Sequence, residues 1–251
     1  MAQYGFFFDQ SRCTDCRHCS IACRDWNGID EGPVKWLRMF QTEKGSYPNV
    51  KVNVVWAPCY HCENPICVDA CPNKARYKED KYGAVLVDTD RCKGARNCWL
   101  ACPYGAPQYA SDAPGTKTSQ CTMCIDRLEQ GLNPRCAEVC LQRALDFGPL
   151  GDLGKKYGNV KQLEDMPSPN EVKPAVVFKP QRAPTVIIPY DVNRALDLLA
   201  KRDAVTPGLA PVFTNKADVT DVPEGLVGRG KLNMKPGSTS EAMYLTKNDE
   251  A

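Results

Sequence analysis

The sequence predicts an α+β chain: two small units of short helices and strands organised by cysteines, then a cysteine-free extension. Three observations predict it. All 15 cysteines lie before residue 141, in four groups. The apolar runs between the groups are short, which suits short strands and helices. Twenty prolines and 18 glycines in 251 residues supply frequent turns.

The elements follow in chain order. Tyr-Gly-Phe-Phe-Phe-Asp at 4–9 reads as a strand. The first cysteine group is Cys13, Cys16, Cys19 and Cys23, and a short helix is expected over 20–26. A strand is expected over 50–56. The second group, Cys59, Cys62, Cys67 and Cys71, carries a helix over 65–71. Residues 75–87 read as a hairpin with Lys81, Tyr82 and Gly83 near its turn. The third group is Cys92, Cys98 and Cys102; the fourth is Cys121, Cys124, Cys136 and Cys140. Helices over 122–130 and 134–140 and a strand over 144–148 complete the cysteine-bearing region, 1–148. One half of it is expected to comprise 1–49 and 103–148, the other 50–102. The extension, 149–251, holds a short helix within 151–165, a break at Met166-Pro-Ser-Pro, a strand over 186–188 and a helix over 190–203. Residues 204–251 are rich in Pro, Gly and Thr and bury little by themselves, so they read as a partner-binding arm.

Composition excludes several classes. Lys and Arg number 32 against 30 Asp and Glu, so charge gives no reason to expect nucleic acid as a partner. Two histidines are few for imidazole chemistry. The N-terminus lacks the basic and apolar regions of a signal peptide, and no apolar run is long enough to span a bilayer. The chain is expected to be soluble, in the cytoplasm or exported already folded on a partner's signal. No GxSxG, HExxH, P-loop or dinucleotide fingerprint appears, so catalysis is expected elsewhere.

The cysteines allow three readings. Disulfides need an oxidising compartment, and the odd count argues against them. Structural zinc wants four ligands, usually as two separated C-x2-C-type pairs, which the fourth group alone could imitate. The third reading is iron–sulfur clusters, and it fits best. The first group has the C-x2-C-x2-C-x3-C spacing of bacterial ferredoxins, whose fourth cysteine serves the other cluster of a pair. The reason is reach: three close thiolates cover three corners of a cubane, and the fourth points away one helical turn on. Cys71-Pro72 and Cys102-Pro103 repeat the ending of that run.

Taken together, Cys13–Cys23, 58–67, Ala101-Cys-Pro-Tyr-Gly, 117–131, 131–140 and Lys173-Pro-Ala-Val-Val-Phe-Lys-Pro resemble the iron–sulfur subunit of the molybdopterin (dimethyl sulfoxide reductase-type) oxidoreductases. The resemblance covers roughly residues 1–180. It implies two ferredoxin-like units binding four clusters and relaying single electrons to or from a large molybdopterin or tungstopterin subunit. It leaves room for a membrane-anchor or other redox partner. It implies the ligands Cys13, Cys16, Cys19 and Cys140 for cluster one, and Cys23, Cys121, Cys124 and Cys136 for cluster two. Cluster three takes Cys59, Cys62, Cys67 and Cys102, and cluster four takes Cys71, Cys92 and Cys98. Ala95 stands where the family's pattern has a fourth ligand. The expected cofactors are therefore three [4Fe–4S] clusters and one [3Fe–4S]. The alternative is four [4Fe–4S], with water or Asp90 on the open iron. The rival functions are a free-standing polyferredoxin and a hydrogenase-type electron-transfer subunit.

Basic residues flank the groups: Arg12, Arg17, Arg24, Lys74, Arg76, Arg91, Lys93, Arg96, Arg127, Arg135 and Arg143. Most are expected to be ordinary surface, with Lys93 and Arg96 tuning a cluster. His18 and His61 are expected to pack or hydrogen-bond, not to ligate.

Overall fold

The computed structural model describes residues 3–46 and 50–181, together with 193, 194, 197 and 201. The elements are β1 (Tyr4–Asp9), α1 (His18–Trp26), β2 (Arg38–Lys44), β3 (Lys51–Ala57), α2 (Ile66–Asp69), β4 (Arg76–Lys78), β5 (Val85–Val87) and α3 (Asn97–Ala101). They continue with β6 (Gln108–Tyr109), β7 (Thr118–Ser119), α4 (Ile125–Leu128), α5 (Arg135–Glu138), β8 (Leu145–Pro149), α6 (Leu150–Tyr157) and β9 (Val176–Lys179). The expected mix of short helices and strands is present.

The chain divides into two units. The first contains 1–41 and 54–181 and holds every cysteine. Among the described residues, the second is chiefly the outer part of the β2–β3 hairpin, 42–46 and 50–53. The strand and helix expected over 186–188 and 190–203, and the arm at 204–251, lie outside the described residues except at isolated positions.

The first unit is built on β1. Its sequence alternates, so Phe6 and Phe8 face one way and Phe7 the other. Phe6 and Phe8 pack on the fully buried Trp56, and Phe6 also meets Phe147. On the opposite face Phe7 stacks on Tyr157 at 3.6 Å and joins Leu150, Leu153, Ala175 and Val177. That second layer belongs to α6 and β9, so residues 150–179 complete the sheet that begins at residue 4. β8 pairs antiparallel with β1 (Phe6 opposite Phe147), and β9 pairs parallel with it (Phe6 opposite Val176). Asp9 ties the end of the parallel pair to the Lys179 ammonium at 2.7 Å.

The expected hairpin is β4–β5, with Arg76 opposite Val87 and Lys78 opposite Val85. Its turn is held by the Glu79 carboxylate, which accepts from the backbone N–H groups of Lys81 and Tyr82, and by Gly83 at a φ of 73°. A second, shorter ribbon pairs β6 with β7.

Candidate metal centres

The cysteine loops share a backbone habit. Of ten non-glycine residues with positive φ among the described residues, eight lie in these loops: Asp15, Arg17, His61, Lys74, Arg96, Met123, Cys124 and Arg143. Each costs on the order of 1 kcal/mol in the left-handed region. Such turns direct successive N–H groups into a concavity that suits an anion. The N–H groups of Ala75, Ala106 and Ala144 donate to Cys71, Cys102 and Cys140 sulfurs at 3.3, 3.5 and 3.2 Å. In each case the donor is four residues beyond its sulfur. The Met123 N–H donates to Cys121 at 3.4 Å.

The sulfurs gather into four sets. Cys13, Cys16, Cys19 and Cys140 line one cavity of about 350 Å³, counting its mouth, walled by Phe8, Met39 and Trp56. Cys71, Cys92 and Cys98 line another of about 300 Å³ with Ala95, Arg76 and Tyr109. Burial pushes Cys23 up to about 12 and Cys121 well above its usual range; Cys124 adds to both shifts and Cys23 to that of Cys121. Cys136 crowds the same set. Burial likewise pushes Cys59 up to about 12 and Cys67 up to about 11, with Cys102 adding repulsion to both and to Cys62.

Successive sets also lie within electrostatic reach of one another. Cys136 feels the Cys19 sulfur, Cys121 feels Cys59, and Cys67 feels Cys98.

This donor chemistry fits clusters. Every cysteine is a free thiol. Crowded, buried thiols resist ionisation, so only a strongly cationic core makes four thiolates at one place favourable. Among the described residues, no three His, Cys, Asp or Glu side chains converge at single-ion distance. The sulfurs ring a space, not a point. Two buried donors near these spaces have no protein acceptor: the indole N–H of Trp56, a residue that lines the first cavity, and the hydroxyl of Tyr104, which lies near Cys62 and Cys102. An anionic sulfide body satisfies such donors.

Lys93 and Arg96, the two basic residues expected to tune a cluster, both border the fourth cavity. Lys93 is exposed, its nearest oxygen the Asp90 carbonyl at 3.5 Å. Arg96 is paired to the Asp112 carboxylate at 3.3 Å and lies over the Tyr109 ring. Among the described residues the buried cations are Arg38, Arg76 and Arg127. Arg127 is neutralised by Glu138 at 2.7 Å. Arg38 donates to the Tyr104 carbonyl and faces Cys102 and Cys59. Arg76 reaches the Cys67 sulfur. Burial of an Arg leaves no trace in local spacing, so sequence could not single these out. Tyr109, whose hydroxyl meets the Cys98 sulfur at 3.3 Å, is equally silent there. His61 is fully buried and accepts from the Val85 N–H through Nδ1, which fits the packing role. Burial, with Lys78 nearby, holds it down at about 3.

Two family models, each described as a 4Fe–4S dicluster domain, match residues 12–75 and 50–150. The chain is thus built from two dicluster, ferredoxin-like domains and carries iron–sulfur clusters of that type. It is 41% identical over 186 residues to one of the chains of the anaerobic dimethyl sulfoxide reductase of Escherichia coli K12, covering 71% of this protein and 89% of that one. It is 28% identical to the arsenate respiratory reductase iron–sulfur subunit of Shewanella sp. strain ANA-3, over 68% of this protein and 90% of that one. It is 35% identical to one of the subunits of the sulfite dehydrogenase of Allochromatium vinosum, over 61% and 68%. The chain belongs to the iron–sulfur subunit family of the dimethyl sulfoxide reductase-type oxidoreductases. It is an iron–sulfur electron-transfer subunit of such a complex, and the polyferredoxin and hydrogenase readings give way to that. No helix among the described residues is long and apolar enough to cross a membrane.

Proposed function

We propose that the chain holds four clusters in a row and relays single electrons between a pterin-containing catalytic subunit and a second redox partner. The ligand sets are Cys13, Cys16, Cys19 and Cys140; Cys23, Cys121, Cys124 and Cys136; Cys59, Cys62, Cys67 and Cys102; and Cys71, Cys92 and Cys98. When bound, the clusters supply one-electron redox centres. What supports the reading is that neighbouring sets lie within electrostatic reach of one another, Cys19 acting on Cys136, Cys59 on Cys121, and Cys98 on Cys67. A relay needs its stations to be neighbours in one line.

The protein's own groups have distinct tasks. Thiolates bind. The loop N–H groups stabilise charge on sulfur, which favours the reduced state. Phe8, Met39 and Trp56 keep water from the first site. The fourth site has three cysteines, and Ala95 offers no donor. Asp90, the candidate replacement, is not among the residues lining that cavity. Both facts favour a three-iron cluster there. The relatives are named as single components of larger reductases, one of them as the iron–sulfur subunit, which supports a separate catalytic partner. The proposed division is the cluster region 1–148 followed by an extension, 149–251, whose last part binds the partner.

The test is composition. Anaerobically purified protein is expected to be brown and to hold about 15 iron per chain, with acid-labile sulfide and a paramagnetic signal from the oxidised fourth site. About 16 iron and no such signal would replace the three-iron cluster by a four-iron one. Absence of acid-labile sulfide would overturn the whole reading.

A further inference from the structure

We propose that Arg76 is a single buried cation shared by the third and fourth clusters, setting the potentials of both through their cysteine ligands. The inference rests on the ligand sets proposed above and goes beyond them.

Arg76 is 2% exposed. It stands on β4, and its Nη1 lies 3.9 Å from the Cys67 sulfur of the third set. The guanidinium also feels Cys59 of the third set and Cys98 of the fourth. It lines the fourth cavity directly. Its orientation is fixed by neutral groups. Nη1 donates to the Gln120 side-chain carbonyl at 2.5 Å and Nη2 to the Thr118 hydroxyl at 3.3 Å. Gln120 is anchored in turn by donating to the Val85 carbonyl at 2.7 Å.

Nothing in this arrangement cancels the charge. Among the described residues no carboxylate pairs with Arg76, and its Nε–H is buried without an acceptor. A buried guanidinium stays protonated, and leaving it unpaired is costly. Its counter-charge must then be the thiolates and the cores they hold. Those belong to two sites at once. The other cations near the clusters differ. Arg96 and Lys93 also border the fourth cavity, but Arg96 pairs with Asp112 and Lys93 is exposed; Arg127 pairs with Glu138, and Arg38 lies by Cys102 and Cys59 of the third set. A fixed positive charge stabilises each cluster's reduced form more than its oxidised form. Because Arg76 is buried, that effect resists screening by salt.

The test is a redox titration of the individual paramagnetic signals in the purified complex. Arg76→Gln is expected to lower the reduction equilibrium constants of the third and fourth sites at least tenfold each, about 59 mV per site. The first and second sites should stay within about twofold, and raising the salt should not shrink the difference. Arg76→Lys should restore most of it. The proposal is overturned if only one site moves, if neither moves, if all four move alike, or if Lys behaves as Gln. Should Arg76→Gln fail to retain iron, Gln120→Glu keeps the guanidinium but sets a carboxylate against it. The same two potentials should fall, and unmoved potentials would overturn the idea. A wild-type complex lacking separate third and fourth signals would instead sink the four-cluster reading before any variant is made.

Discussion

The loop carrying Cys13, Cys16 and Cys19 and the loop carrying Cys92, Ala95 and Cys98 have the same backbone. Corresponding residues stand 79 positions apart. Arg17 and Arg96 both precede their helix in the left-handed conformation, with φ of 57° and 60°. Asp15 and Gly94 are left-handed too. Ile21 and Leu100 are each 65% exposed. Yet the two loops end in different chemistry. The first closes on four sulfurs between Phe8, Met39 and Trp56; the other offers three beside Arg76 and Tyr109. The lesson is that the loop is a frame. One side chain and the facing wall decide what the frame holds.

Removing iron is the most severe way to break the comparison. Cluster binding supplies much of the folding free energy, so both loops should collapse together when the iron is chelated. Far-ultraviolet circular dichroism should lose most of the signal of the cysteine-bearing region, 1–148. One loop surviving intact would show that the frames are not equivalent.

Exchanging the deciding side chain sharpens it. Ala95→Cys should add one iron, abolish the paramagnetic signal of the oxidised fourth site and lower that site's potential. Cys16→Ala should do the converse at the first site. Iron counting and the oxidised spectrum check both.

A backbone pair comes next. A Cβ on Gly94 would sit 2.6 Å from the Gly115 carbonyl carbon at a φ of 70°. Gly94→Ala should therefore cost about 2 kcal/mol or more and shorten the thermal half-life of the holo-protein. Asp15→Gly relieves the same conformation and should be far milder. Equal losses would mean that the third loop does not depend on its packing against residues 115–116.

The smallest expected effect is one of pH. Burial raises the Asp15 carboxyl above its usual range, and the Arg17 guanidinium at 3.3 Å only partly offsets this. A raised carboxyl pKa contributes stability that is complete below the unfolded value of 3.8 and is lost as pH rises through the folded value. The ratio of thermal half-lives, wild type to Asp15→Asn, should thus fall as pH rises from about 4. A flat ratio would show that this carboxylate is not strained. Gly94 has no such group to titrate.

Much of the frame was legible in the residues. Tyr4–Asp9 is a strand as read, and the expected elements over 20–26, 50–56, 65–71 and 144–148 appear with no end moved by more than two residues. The helix expected over 122–130 shrinks to Ile125–Leu128 because Met123 and Cys124 are left-handed, a demand of the loop that propensity does not reveal. β6, β7 and α3 were not foreseen. They are too short for periodicity to mark. The Lys173–Pro180 segment stood out as a motif, but not as a strand, because parallel pairing to β1 is a contact across the chain. The cysteines stood out in the sequence by their spacing. The walls around them did not. Trp56 and Arg38 come to sulfurs of distant segments, and Arg76 and Tyr109 approach Cys67 and Cys98 across 9 and 11 residues, and spacing carries no record of either.

The parallel pairing of β1 with β9 bears on how the molecule is made. The strand at residue 4 gains its last neighbour only when residue 179 has been synthesised, on the order of ten to forty seconds into translation. Until then its phenylalanines stay partly uncovered and the nascent thiols stand open to oxidation. Metal loading that waits for release from the ribosome would meet a finished sheet; loading that comes earlier would meet a loose end.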